Sequence, residues 1–138
     1  MKVSAPFFDT SEVGGGPAAF LYREASMFVF DHVGITTTEQ QPQEDWVEQS
    51  KIWVTNPRNH PEHIEFLRYH EDSAVPAIIR DNPHIAYRVD EIEPLLASVD
   101  EILIPSFIVG DFLEVVFVLK HGTVFEYMRY LKEGWFEN

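Results

Sequence analysis

The chain has 138 residues, of which 45% are hydrophobic and 24% are charged, a composition typical of one globular domain. Its 23 acidic and 10 basic residues leave a formal net charge of −13, which repels nucleic-acid phosphates and anionic lipid surfaces. There is no cysteine and no apolar run of membrane-spanning length, so we expect a cytoplasmic protein without disulfides, nucleic-acid partners or membrane partners.

The first half of the chain contains a lead-in segment and then several short predicted elements. A Gly-Gly-Gly-Pro turn at 14–17 and the absence of clear periodicity make 1–26 the lead-in. The elements that follow are a strand over 27–36, a short helix over 43–50, strands over 51–55 and 63–69, and a loop over 71–82 with a short extended piece at 77–79.

The second half has a clearer pattern. A strand over 82–89 leads to Asp90 and Glu93, which form a capping pair for a helix over 91–99. Three strands follow, over 102–108, 113–120 and 123–131, and His121-Gly122 is the tight turn between the last two. The second half therefore has the order strand, helix, strand, strand, strand. The first half has the same order in an abbreviated form.

Several predicted strands carry ionisable side chains at positions that an apolar core would normally exclude. Residues two positions apart share a face of a strand, so alternation assigns each side chain to one face. Four predicted strands each carry one ionisable residue near the middle, flanked by apolar neighbours: His32, Glu65, His84 and Glu126. Alternation places a further side chain beside each of them: Phe30 with His32, His63 with Glu65, Arg88 with His84, and Met128 with Glu126.

These four residues suggest a metal site. A carboxylate buried alone costs several kcal/mol, and glutamate is almost never fully buried unless it is paired or bound to metal. Two histidines and two glutamates in one cavity would avoid that cost by sharing a divalent cation. Imidazole with carboxylate suits Zn, Ni, Co, Mn or Fe and does not discriminate well among them.

The sequence resembles the vicinal oxygen chelate superfamily, which includes glyoxalase I, methylmalonyl-CoA epimerase, extradiol dioxygenases and the fosfomycin and bleomycin resistance proteins. Four motifs over 27–131 carry the resemblance. Asp31-His-Val-Gly-Ile35 and Pro83-His-Ile-Ala-Tyr-Arg-Val-Asp-Glu-Ile92 resemble the opening segments of two modules, and His63-Ile-Glu-Phe-Leu67 and Val124-Phe-Glu-Tyr-Met128 resemble the closing strands.

The resemblance implies an α+β fold in one glyoxalase-like domain. Paired βαβββ modules, at 27–70 and 82–131, would form a curved mixed sheet around a metal cavity. The implied ligands are His32, Glu65, His84 and Glu126, and the implied assembly is a homodimer. The substrate-binding candidates are Arg88, His63, Phe30 and Met128.

The function implied is that of a metal-dependent lyase, isomerase or epimerase. It would act on a small oxygenated carbonyl substrate by metal-stabilised enediolate proton transfer. Glu126 is the candidate base and Glu65 its partner, because a carboxylate beside the metal can move a proton between carbons.

Several alternatives stay open. Only 33 positions separate His32 from Glu65, against 42 between His84 and Glu126, so one strand of the first module is expected to be shortened, missing or supplied by 18–26. His63 is the fallback ligand if Glu65 does not take part. His32, His84 and Glu126 around ferrous iron would make an extradiol-type dioxygenase, although Glu65 argues against it as a fourth ligand. A resistance-type protein would bind a small molecule without catalysis.

Overall fold

The structure is a computed structural model that describes residues 27–136. The predicted lead-in over 1–26 lies outside the described residues. The eight strands are β1 (Phe28–Thr36), β2 (Asp45–Val47), β3 (Ile52–Val54), β4 (Ile64–Tyr69), β5 (His84–Val89), β6 (Glu101–Val109), β7 (Leu113–Lys120) and β8 (Thr123–Tyr130). The helices are one α-helix, α1 (Ala77–Arg80), and 3-10 helices at Pro57–Asn59 and Glu93–Ser98.

All eight strands belong to one mixed sheet in the order β2-β3-β4-β1-β5-β8-β7-β6, which curls into a half-barrel. The opening strands of the two halves, β1 and β5, are antiparallel neighbours at the centre. Each opening strand pairs in parallel with the closing strand of its own half, β1 with β4 and β5 with β8. The two halves therefore have the same strand order. The four strands at the centre of the sheet, where the halves join, are β4, β1, β5 and β8.

The helix content is lower than the α+β prediction implies. The second half crosses over through the 3-10 helix Glu93–Ser98 instead of the predicted α-helix, and in the first half 37–44 forms no helix. The helix predicted over 43–50 is wrong, because this stretch contains β2 and a turn. The extended piece predicted at 77–79 is α1. Among the described residues no helix is long and apolar enough to cross a membrane.

The abbreviated first half retains all four strands. Its middle strands β2 and β3 have three residues each, whereas β6 and β7 have nine and eight. The shorter spacing between His32 and Glu65 therefore reflects short strands and a missing helix, and no strand needs to be supplied by 18–26. Closing strand β4 remains next to β1, which is the placement that the site requires.

The two faces of the sheet are packed differently. One face lines a cavity and carries buried apolar side chains of both halves, among them Leu67, Val115 and Met128. On the other face of the second half, the residues around the 3-10 helix, including Leu95 and Leu96, pack over a buried cluster of Val89, Ile92, Val116, Val118 and Tyr127.

An ion pair holds the segment 37–44, which connects β1 to β2. In the second half the corresponding connection contains the 3-10 helix Glu93–Ser98. Arg68 on β4 donates two hydrogen bonds to Glu44, from Nε at 2.9 Å and from Nη2 at 2.6 Å. Its guanidinium also lies 5.6 Å from the ring centre of Trp53. The Glu44 side chain is only 5% exposed. The hydrogen bonds from Arg68 lower the pKa of Glu44, although partial burial opposes the shift.

The substitution Glu44→Gln should therefore lower the midpoint of thermal unfolding by a few degrees at neutral pH. Because the pKa of Glu44 is lowered in the folded state, the pair stabilises the fold above the pKa of the unfolded chain. This contribution begins to fall below about pH 4.5, the ordinary pKa of the group, and is lost as the pH passes through the lower folded pKa, so wild type and variant should converge there. Calorimetry across pH measures the difference. Glu48→Gln, which removes an exposed pair with Lys51, should change little, and an equal loss in both variants would contradict the assignment.

Candidate metal centre

Four neighbouring strands bring the predicted ionisable residues to one place. The strands β4, β1, β5 and β8 are adjacent in the sheet. Their register places Glu65 beside Gly34, Gly34 beside His84, His32 beside Ala86, and Ala86 beside Glu126. The side chains of His32, Glu65, His84 and Glu126 are all buried in the protein, at 2%, 9%, 2% and 8% exposure.

The two histidines direct the same ring nitrogen, Nε2, at the carboxylates. Glu65 Oε1 lies 3.2 Å from His32 Nε2 and 3.8 Å from His84 Nε2. Glu126 Oε1 lies 3.5 Å and 3.3 Å from the same two atoms. Two ligand atoms that share a tetrahedral cation at about 2.1 Å stand about 3.4 Å apart, so these separations match ligand-to-ligand distances.

Within the described residues, neither of these Nε2 atoms has a hydrogen-bond partner of acceptable geometry, and both are buried. A buried polar atom without a partner costs about 1–3 kcal/mol. Two such atoms beside two carboxylates fit a divalent cation that would accept their lone pairs. His32, Glu65 and His84 each offer an atom within 4.8 Å of the others, which is close enough to hold one ion.

Each histidine is paired in register with a small residue of the neighbouring strand. His32 is opposite Ala86, and His84 is opposite Gly34. A Cβ added at Gly34 would fall within 3.0 Å of three atoms of the His84 ring. The absence of a side chain at Gly34 therefore determines where the His84 imidazole can lie.

The substitution Gly34→Ala should displace the His84 ring and weaken binding of a divalent cation by at least about tenfold, a loss comparable to that of an orienting contact. Equilibrium dialysis with Zn²⁺ measures the affinity. Gly122→Ala is the matched control, because a Cβ there meets nothing within 4 Å, although the positive φ makes it cost stability. Undiminished Zn²⁺ affinity in Gly34→Ala would contradict this geometry.

The residue before His32 orients it. The ring nitrogen Nδ1 of His32 lies 2.7 Å from the carboxylate of Asp31. When this nitrogen donates its hydrogen to Asp31, the lone pair of the neutral ring is on Nε2, which faces the cluster. Asp31 belongs to the first motif of the sequence, but the alternation of side chains gave it no role.

The cluster is strongly coupled electrostatically. Burial lowers the pKa of His32, but the charge of Glu65 and the contacts with Asp31 and Glu126 outweigh it, so that the pKa is raised well above its ordinary value. Burial raises the pKa of Glu126, yet contacts with His32 and His84 hold it below the usual range. The carboxylate of Glu126 is therefore ionised at neutral pH.

A cavity of about 90 Å³ adjoins the cluster. A single water needs about 10–15 Å³ by the same measure, so the cavity has room for a small molecule. Much of its wall is apolar and includes the predicted residue Met128. Polar groups are contributed by the four cluster residues and by Asp31, Ser50, Arg58, Tyr69 and Tyr130.

Three predicted substrate-binding residues do not line this cavity. A bulge in β1 between Phe30 and His32 adds one residue, Asp31, and reverses the alternation. Phe30 therefore packs against Tyr87 on the opposite face and is 46% exposed, so the predicted position on the cavity wall is wrong.

The other two residues lie at the edge of the site. His63 precedes β4 with a positive φ of 57°, its ring is exposed, and its Nδ1 lies 3.2 Å from the carbonyl of Asp31. The fallback ligand thus lies outside the cluster, whereas Glu65 lies within it. Arg88 lies over the ring of Tyr130 and pairs with Glu133 at 3.3 Å.

The sequence interpretation missed the residues that close the cavity. Trp135 and Phe136 line it from beyond the last strand, and Trp135 Nε1 donates a hydrogen bond to Asp45 at 2.6 Å. This contact joins the end of the second half to β2 of the first. No periodic pattern extends past β8, so only the run of aromatic residues could have indicated this role.

Comparisons with known proteins agree with the fold class, a curved mixed eight-stranded sheet. The crystal structure of hypothetical protein BH1468 from Bacillus halodurans C-125 is similar, with a TM-score of 0.55 and 17% identity, covering 80% of this chain and 99% of that chain. At this identity the likeness concerns the fold alone. No protein-family model and no curated protein matches the chain.

Proposed function

We propose that this chain is a member of the vicinal oxygen chelate superfamily and a metal-dependent lyase, isomerase or epimerase. The observation that carries the proposal is the convergence of His32, Glu65, His84 and Glu126, with two buried Nε2 atoms that have no hydrogen-bond partner within 27–136. The repeated strand order of the two halves supports the same superfamily.

The four side chains would hold one divalent cation. Their two carboxylates balance its charge, so that the filled site is neutral and can be buried at low cost. Both carboxylates and both imidazoles lie on central strands, which hold ligands more rigidly than loops do. When bound, the cation supplies a Lewis acid that polarises a substrate carbonyl and acidifies the adjacent C–H bond.

The residues of the chain would perform the proton transfer. Glu126 is the proposed base, because its ionised carboxylate borders the cavity beside both imidazoles. Glu65 approaches the same two rings and would receive or return the proton at the other face of the substrate. The apolar wall keeps bulk water away from the carbon that loses its proton.

A second candidate function is an extradiol-type dioxygenase. The observation that favours it is the group of His32, Glu65 and His84, two histidines and one carboxylate within 4.8 Å. Such a set suits ferrous iron with open positions for substrate and oxygen. Glu126 counts against this function, since a fourth ligand would occupy one of those positions.

Elemental analysis of the purified full chain after dialysis is the first test, and we expect one divalent cation per chain. The loaded protein is then screened with α-hydroxycarbonyl compounds for solvent deuterium exchange and with catechols for oxygen consumption. Exchange without oxygen uptake is expected. Oxygen uptake with catechols would instead favour the dioxygenase, and a chain that retains no metal would favour a non-catalytic binding protein.

A further inference from the structure

Among residues 27–136, Arg58 is the only Lys or Arg that lines the cavity, and it is not one of the four cluster residues. It lies in the 3-10 helix that follows β3, where the side chain of Asn56 accepts a hydrogen bond from its backbone N–H. Its Nη2 donates to the hydroxyl of Tyr130 at 3.0 Å. The guanidinium also lies 5.6 Å from the ring centre of Tyr130 and 5.8 Å from that of Trp135.

Arg58 differs from most cationic residues of 27–136 in having no acidic partner within that range. Five of them are in ion pairs with carboxylates: Lys51 with Glu48, Arg68 with Glu44, Arg88 with Glu133, Arg129 with Glu114, and Lys132 with Asp111. Within 27–136 no carboxylate lies within 4.0 Å of the Arg58 guanidinium, and Arg58 is the only Lys or Arg of that range that lines the cavity.

The surroundings of Arg58 favour an anion with an apolar body. Arg58 lines the cavity and is also exposed, so its charge is reachable from solvent. The aromatic rings of Tyr130 and Trp135 lie beside the guanidinium, and most of the other side chains that line the cavity are apolar. A planar guanidinium binds a carboxylate through two parallel hydrogen bonds.

We propose that Arg58 forms a subsite for the carboxylate of a small organic anion whose aromatic or branched alkyl body lies in the cavity. The inference rests on the proposed function for the other end of the substrate, whose oxygens would face the metal cluster. It assigns to Arg58 the substrate-binding role that the sequence suggested for Arg88, which is paired with Glu133 and does not line the cavity.

Binding of benzoate and of benzamide by the full chain tests the subsite. The two probes share a ring and differ in charge. We expect benzoate to bind about tenfold more tightly, a difference of about 1.4 kcal/mol, both with saturating Zn²⁺ and after treatment with a chelator. Isothermal titration measures both affinities.

The variant Arg58→Gln should abolish the preference for benzoate, and Arg58→Lys should retain part of it. Arg88→Gln is the matched control, because Arg88 also contacts Tyr130, and its preference should equal that of wild type. Equal affinities of the two probes in wild type, no benzoate binding, or a preference that persists in Arg58→Gln would overturn the subsite. If the chain failed to bind Zn²⁺ at any concentration tested and still kept the Arg58-dependent preference, the proposed function would be refuted and the subsite would stand.

Discussion

Replacing His84 with alanine should reduce the affinity for Zn²⁺ by more than about 100-fold. Loss of a residue that only orients a ligand already costs about 10–100-fold, and the loss of a ligand itself should cost more. His84 is 2% exposed, and its Nε2 lies 3.3 Å from Glu126 Oε1. Competition with a chelating dye measures the affinity.

His63→Ala provides the matched control, since it removes the same side chain from the exposed end of β4, where the ring lies outside the cluster. Its Zn²⁺ affinity should be that of wild type, and circular dichroism should confirm that both variants fold. If His63→Ala lost the metal and His84→Ala kept it, the fallback ligand would be the true one and the cluster would have another purpose.

Replacing Glu126 with glutamine should slow proton transfer by about 10²–10⁴-fold, the usual contribution of a positioned general base. The amide has nearly the same shape but cannot accept a proton at neutral pH. Deuterium exchange into an active α-hydroxycarbonyl compound, followed by NMR with the metal saturating, measures this step separately from metal affinity.

A comparison with Glu65→Gln assigns the role within the pair. Glu65 contacts the same two imidazoles, so both variants should lose metal affinity, whereas the larger loss of exchange at saturating metal is expected for Glu126. Exchange at the wild-type rate in Glu126→Gln would remove the assignment of the base.

Much of the central sheet could be predicted from the sequence, because its strands obey simple alternation. β7 has the predicted bounds, and β5 and β8 differ from theirs by one or two residues. The sequence places Glu65 and Glu126 on the cavity face because each stands among apolar neighbours in a strand. Since a carboxylate buried alone is costly, this pattern predicts that the two share a metal site.

The errors have local physical causes. Phe30 was placed on the wrong face because the bulge at Asp31 adds a residue that no periodic pattern shows. The helix predicted over 43–50 is wrong because two long-range contacts determine this segment. Glu44 pairs with Arg68, and β2 pairs with β3. Arg58 could not be singled out because its environment is formed by Tyr130 and Trp135, more than seventy residues further along the chain.

A crystal structure of the full chain grown with Zn²⁺, with anomalous data at the zinc edge, tests the central claim most directly. We expect one peak at about 2.0–2.2 Å from Nε2 of His32, Nε2 of His84 and at least one oxygen of Glu65 or Glu126. A peak on the exposed histidines His63 or His70 alone, or the absence of any peak between the four buried side chains, would contradict it.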